Sequence, residues 1–161
     1  MTDVVDPTQA ARHLLDVCTL VDVGYFELLA MRGSVGEDGS RQILGPGEVT
    51  DLELGECGYA VDVLWNEETD RLLVRLVASV ESNAGEIRVG AEPEYEFEGV
   101  TRTDMADEVE EIFVNKVAVM ALVPYLRSAV SDLSSRVLGA RLIMDVVRPG
   151  EIEFSKRLAE L

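Results

Sequence analysis

Four glutamates, Glu92, Glu94, Glu96 and Glu98, stand at alternate positions beyond the middle of the chain. Same-face neighbours along an extended strand lie roughly 6.6–7 Å apart. That spacing is near the ~6.5–9.5 Å between the acid and base of an inverting glycosidase. An acid of that kind needs a dry pocket to raise its pKa, whereas four carboxylates in a row on a polar face read as solvated. Left exposed, the row forms an electrostatic landing strip for a basic segment of a partner, and it discourages edge-to-edge sheet association.

The remaining chemical inventory is thin. His13 is the sole histidine, which removes a Ser-His-Asp site and leaves a zinc reading without a second imidazole. It falls on the flank of a helical apolar stripe and reads as a surface or boundary residue. Cys18 and Cys57 have no metal-binding spacing and read as small buried hydrophobes, with one disulfide between them as the alternative. The run Gly33-Ser34-Val35-Gly36-Glu37-Asp38-Gly39 lacks the lysine of a phosphate-binding loop, and its acids repel phosphate. With no nucleophile–base pair, metal cluster or cofactor fingerprint, the expectation is no enzyme, no metal and no cofactor.

The chain carries 31 acidic against 14 basic side chains, a formal charge of −17. Such a surface repels nucleic acid and anionic lipid and favours basic partners. At 161 residues with 47% apolar content, one domain over 1–161 is expected. The start of the chain shows no leader pattern, and its longest wholly apolar run, Val117–Val123, is far short of the ~20 residues of a membrane helix. A soluble, cytoplasmic protein without membrane insertion is expected.

These side chains must be positioned by elements whose order the sequence suggests. Asp6-Pro7 opens a helix over about 7–19, with Ala11, Leu14, Leu15 and Cys18 as its stripe. Val21–Arg32 reads as a strand whose apolar parity changes between Tyr25 and Phe26, a sign of a bulge or of burial on both faces. A glycine-rich acidic crossover follows over about 33–56. Three alternating segments then begin near Tyr59, Leu72 and Ile87, joined by short turns that imply antiparallel pairing. Pro93 cannot donate to a ladder, which puts the last strand at an edge or puts a bulge there. Thr101–Asp104 is expected to cap a helix with Met105, Val109, Ile112, Phe113, Val117 and Met120 as its apolar face. From Val117 that face widens to the whole circumference, so its end is buried either in the chain's own core or against a subunit or ligand. Pro124 kinks or restarts the helix, Asp132 and Arg136 form an i,i+4 pair, and Gly139 sits as a C′ residue. The extended run Leu142–Val147 closes at Pro149-Gly150, and the tail from Glu151 can form a last short helix. The architecture is α+β, a four-stranded antiparallel sheet with one wet, acidic face.

The stretch Val123–Phe154 resembles the SecB family of protein-export chaperones. Pro124, Tyr125, Arg127, Ser131, Asp132, Leu133, Arg136, Gly139 and Leu142 match its proline-tyrosine pair, arginines, serine/aspartate-leucine step, glycine and leucine-rich segment. The resemblance implies helices packed on one face of the sheet and a dimer of dimers. It also implies an ATP-independent holdase that keeps non-native or nascent polypeptides in apolar grooves. On that basis Trp65, Met120, Leu142, Met144, Val146 and Phe154 are expected to bind clients, and Val117, Val119, Leu126 and Val130 to lie at the oligomer interface. The further partners it suggests are the SecA export motor or, in diverged relatives, an antitoxin. Ala140-Arg141 replaces the family's proline pair, and the first strand lacks its lysine-aspartate step. The alternative outside this family is a helix-on-sheet module that encloses a small apolar ligand.

Overall fold

Asp6 caps the first helix, α1 (Pro7–Val17), by accepting from the Thr8 amide at 3.1 Å, and Pro7 fills its first turn. A computed structural model describes residues 6–35, 37–42 and 51–156. Helix α1 ends about two residues short of the expected bound near 19, because Cys18 turns extended and begins strand β1 (Cys18–Arg32). His13 lies on the surface, its imidazole 3.7 Å from Asp16.

Strand β1 pairs antiparallel with β6 (Gly85–Phe97), and its register shifts between Leu20 and Asp22 and again between Tyr25 and Glu27. The second shift leaves Phe26 as the extra residue, which is the bulge that the parity change implies. A two-stranded ribbon, β2 (Ser34–Val35) with β3 (Arg41–Gln42), occupies the start of the crossover. The acidic crossover falls partly outside the described residues, at 36 and 43–50, and it is shorter than expected: Gly55 and Glu56 already belong to β4 (Leu54–Asn66). Strand β5 (Arg71–Ser82) follows a turn in which Asn66 Oδ1 accepts the amides of Glu68 and Thr69.

The main sheet has the order β1-β6-β5-β4, so β1 and β4 are its edges and the crossover joins one edge to the other. Pro93 therefore lies in a central strand, which removes the edge alternative and leaves a local irregularity as the way it is accommodated. The missing N–H is absorbed by a break in the β5–β6 ladder between Leu73–Glu94 and Leu76–Ala91, opposite the irregular part of β1. At the β5–β6 hairpin Gly85 has φ 153°, and a Cβ there would fall 2.0 Å from the Met31 carbonyl oxygen, so only glycine fits.

Helix α2 (Asp107–Phe113) starts later than the Thr101–Asp104 cap suggests. Asp104 turns back and accepts from the Thr101 amide and hydroxyl, which closes a separate turn. A π-helical turn, Val114–Ala118, leads into α3 (Val119–Leu133), and a second, Ser134–Leu138, ends at Gly139 with φ 89°. Pro124 sits inside α3 rather than restarting it, on the exposed side of the helix.

Helices α2 and α3 cover one face of the sheet. Phe113, Leu122, Leu126 and Val130 meet Leu72, Val74, Leu76, Ile87 and Val89 in one buried cluster. Phe113 stands edge-on to Tyr95 and to Phe97, each with ring centroids 5.2 Å apart. Beyond Gly139 the chain runs without regular secondary structure and does not join the sheet. Leu142, Met144, Val147 and Ile152 face the core while Ile143 and Val146 face out. Its entry is fixed by Ser134, fully buried, whose hydroxyl accepts the Leu142 amide at 2.8 Å. The expected last helix lies mostly outside the described residues, which reach Lys156.

Candidate functional site

Strand alternation aims Arg71, Arg75, Arg88, Glu92, Glu94 and Glu96 at the face of the sheet away from the helices. The glutamate row is answered there. Arg71 reaches Glu94 at 3.5 Å and Glu96 at 3.3 Å, Arg75 holds Glu92, and Arg88 pairs with Glu27 at 3.1 Å. Glu98 falls past the end of β6, in a turn. The expected comb is thus three cross-strand ion-paired carboxylates plus one outlier, and a basic partner would have to displace internal arginines to use it.

The residues expected at the oligomer interface divide in the same way. Val119, Leu126 and Val130 are fully buried against the chain's own sheet, and Val117 is half-buried. The outward side of α3 instead presents Ala121, Pro124, Tyr125 and Ser128. Beside it lies β1, which carries six of the eleven exposed large apolar side chains among the described residues: Leu20, Val21, Tyr25, Phe26, Leu28 and Leu29. An unpaired edge with apolar side chains on both faces is a surface that calls for a cover. The Tyr25 hydroxyl donates to the Tyr125 carbonyl at 3.0 Å and ties this edge to the helix. A cleft of about 500 Å³ opens between them, lined by Tyr25, Leu28, Ala129, Asp132 and Arg136. The predicted Asp132–Arg136 pair forms at 3.0 Å on its rim.

The residues expected to bind clients are only partly assembled. Leu142 and Met144 are buried at 3% and 1% exposure, so they hold the extended segment down and present nothing to a client. Val146 is 71% exposed, and the neighbour the sequence reading missed, Ile143, is 67% exposed. Met120 is half-buried on α3. Trp65 and Phe154 do share a site. They line a cleft of about 480 Å³ at the end of edge strand β4, together with Asp62, Val63, Asp107, Glu110 and Lys156. Along the same strand Tyr59, Val61 and Val63 are half-buried against the core. Burial, with Cys57, Asp145 and Glu151 nearby, raises the Tyr59 pKa.

Polar contacts in this cleft are concentrated on α2. The Trp65 indole donates to Glu110 at 3.0 Å, and Glu110, only 2% exposed, also accepts from the Lys156 ammonium at 3.2 Å. Lys156 reaches Asp107 as well. Burial works against its charge, and the two carboxylates overcome that, so its pKa is raised. The two cysteines are free and half-buried, and burial pushes both thiols up. No group of three or more potential metal ligands occurs among the described residues. No helix among them is long and apolar enough to cross a membrane.

No family model matches the chain, and no curated protein matches it. Among solved structures it is similar to the SecB-like chaperone of Mycobacterium tuberculosis in complex with a ChAD peptide from the HigA1 antitoxin. The two align over 87% of this chain and 97% of that one, with a TM-score of 0.65 and 14% identity. The chain therefore has the SecB-like fold, a four-stranded antiparallel sheet with helices on one face. A protein of unknown function from Streptococcus agalactiae aligns over 80% of this chain and 97% of its own, with a TM-score of 0.42 and 6% identity, too distant to carry any argument.

Proposed function

We propose, with the SecB-like fold as premise, that this chain is a cytoplasmic, ATP-independent holdase that binds non-native polypeptides and has no catalytic step. The observation that carries the proposal is the exposed apolar surface that this fold leaves on an acidic chain. It lies at Ile143 and Val146 on the extended segment, at the Trp65–Phe154 cleft, and along β1. An extended unfolded segment can lay alternate apolar side chains along such a surface. Association of copies through β1 and the outward side of α3 covers the edge strand, and it replaces the interface first expected at Val119, Leu126 and Val130.

An antitoxin-like client is favoured over a role in export through SecA. The acidic strip that a basic docking partner would need is matched internally by Arg71 and Arg75. A structural neighbour of this fold is seen with an antitoxin peptide. The small-ligand alternative needs a void under the helices, where Leu122, Leu126 and Val130 instead pack on the sheet.

The deciding measurement is native mass, alone and with an equimolar slowly refolding polypeptide. The expected result is an oligomer that retains the polypeptide and suppresses its aggregation. A monomer that leaves aggregation unchanged overturns the reading.

A further inference from the structure

Both ends of the crossover are held by one turn, 82–85, at the tip of the β5–β6 hairpin. At the leaving end the Gly33 amide donates to the Ala84 carbonyl at 2.9 Å. At the returning end the Asn83 carboxamide works as a two-pronged clamp. Its Nδ2 donates to the Asp51 carbonyl at 2.7 Å, and its Oδ1 accepts the Glu53 amide at 2.9 Å. The Asn83 amide adds a longer bond to the Glu53 carbonyl at 3.4 Å. The turn itself is stiffened by the Ser82 hydroxyl, which accepts the Ala84 and Gly85 amides and donates to the Gly85 carbonyl.

The strand that follows is weakly tied at this point. Leu54 pairs with Ser82 and Cys57 with Val80, so Gly55 and Glu56 together oppose Glu81. That is a bulge, and it separates the clamp from the regular pairing that runs from Cys57 to Asn66. A Cβ on Gly55 would fall 3.0 Å from the Glu81 carbonyl oxygen, so the bulge closes this tightly only with glycine there. Asp51, Glu53 and Asn83 are exposed, so water competes for each bond of the clamp and its net hold is small. Between these exposed residues, Leu52 and Leu54 are half-buried against the core. A short run fastened by solvent-facing bonds, beside a break in its ladder, opens more readily than the sheet around it.

We propose that residues 51–56 form a releasable strap, with Asn83 as its latch and the Gly55-Glu56 bulge as its hinge. Opening bares the Leu52 and Leu54 side chains and frees the main chain of β5 at Glu81 and Ser82. The strap thereby sets how much apolar surface the chain shows at this end of the sheet while the rest stays folded. It lies at the other end of β4 from the Trp65–Phe154 cleft. A use of the opened state in holding polypeptides rests on the holdase reading, whereas the opening itself stands on the clamp and the bulge.

Hydrogen exchange of the full chain, in urea below the unfolding transition, is the first test. The Glu53 amide is expected to exchange ahead of the β4 amides beyond Gly58 and with almost no dependence on urea, because strap opening exposes little surface. Asn83→Ala is expected to speed maleimide alkylation of Cys57 about three- to tenfold, with Cys18 on the opposite edge strand unchanged. Nile red, a neutral apolar dye, is expected to bind more to Asn83→Ala, and adding Leu54→Asn should take that gain away. A Glu53 amide that exchanges only with the urea dependence of global unfolding overturns the proposal. So does a Cys57 rate that ignores Asn83→Ala, or an equal acceleration at both cysteines. If Asn83→Ala fails to fold, the urea dependence in the unaltered chain decides. A strap that opens as expected in a chain that fails to suppress aggregation would sink the holdase reading alone.

Discussion

The ring of Phe26 lies over Gly90 so closely that a Cβ on the glycine would fall 2.5 Å from the ring's Cζ. Phe26 is the extra residue of the β1 bulge, and the Arg75 guanidinium lies over its ring, 5.4 Å from the centroid. Bulge, glycine and arginine thus form one unit on the outer face of the sheet, with each part requiring the next.

Gly90→Ala is therefore expected to push the Phe26 ring away and break its contact with Arg75. The displaced atoms are the far end of a half-exposed side chain, so the cost should be about 1 kcal/mol. A urea midpoint compared with that of Phe26→Ala checks this, since Gly90→Ala should cost little more once the ring is gone.

Stability should fall in strong alkali through Tyr95. Burial pushes its phenol up to about 12, and its hydroxyl has no hydrogen-bond partner. The folded pKa is raised above the unfolded value, so this contribution is complete below about pH 10 and is lost as pH rises towards 12. Tyr95→Phe removes an orphan hydroxyl and should be neutral or stabilising by ~1 kcal/mol at pH 8. Its advantage should widen between pH 10 and 12, as read from urea midpoints of the two proteins.

The extended segment separates holding from folding. Val146→Asp and Ile143→Asp should leave stability within ~0.5 kcal/mol, because both side chains face solvent. Each should weaken suppression of client aggregation. Met144→Asp buries an unpaired charge at a position only 1% exposed and should cost ~4 kcal/mol or more, seen as loss of the cooperative transition.

At the β1 edge, Leu28→Lys and Tyr125→Glu place charges on the surface expected between copies. Leu28 is 54% exposed and Tyr125 41% exposed, so the isolated fold should tolerate both. Native mass should drop with unchanged far-ultraviolet circular dichroism. An unaltered mass would place the interface elsewhere.

Much of the fold is local chemistry and was legible in the chain. The Asp6-Pro7 cap, the glycine-dependent turns at Gly85 and Gly139, the parity change at Phe26 and the Asp132–Arg136 pair each follow from near neighbours along the sequence. Short turns between β4, β5 and β6 give antiparallel pairing for the same reason. The Pro124–Leu142 motif points to the SecB-like fold that the structural likeness then shows.

What the sequence by itself determined, then, is the set of elements, their alternation and the class of fold, because periodicity and turn chemistry act over a few residues. Strand order was decided only in three dimensions. Nothing local distinguishes the edge strand β1 from the central strand β6, so Pro93 left an edge and a bulge both open and β1's apolar side chains were not seen as surface. Burial was decided there too: Leu142 and Met144 look like a groove in sequence but point inward once Ser134 fixes the entry of their segment. The glutamate row acquired its arginines, and Glu110 its indole and its lysine, from strands and segments 17 to 46 positions away. Pairings at that range depend on which elements the core brings together, and no spacing along the chain encodes them.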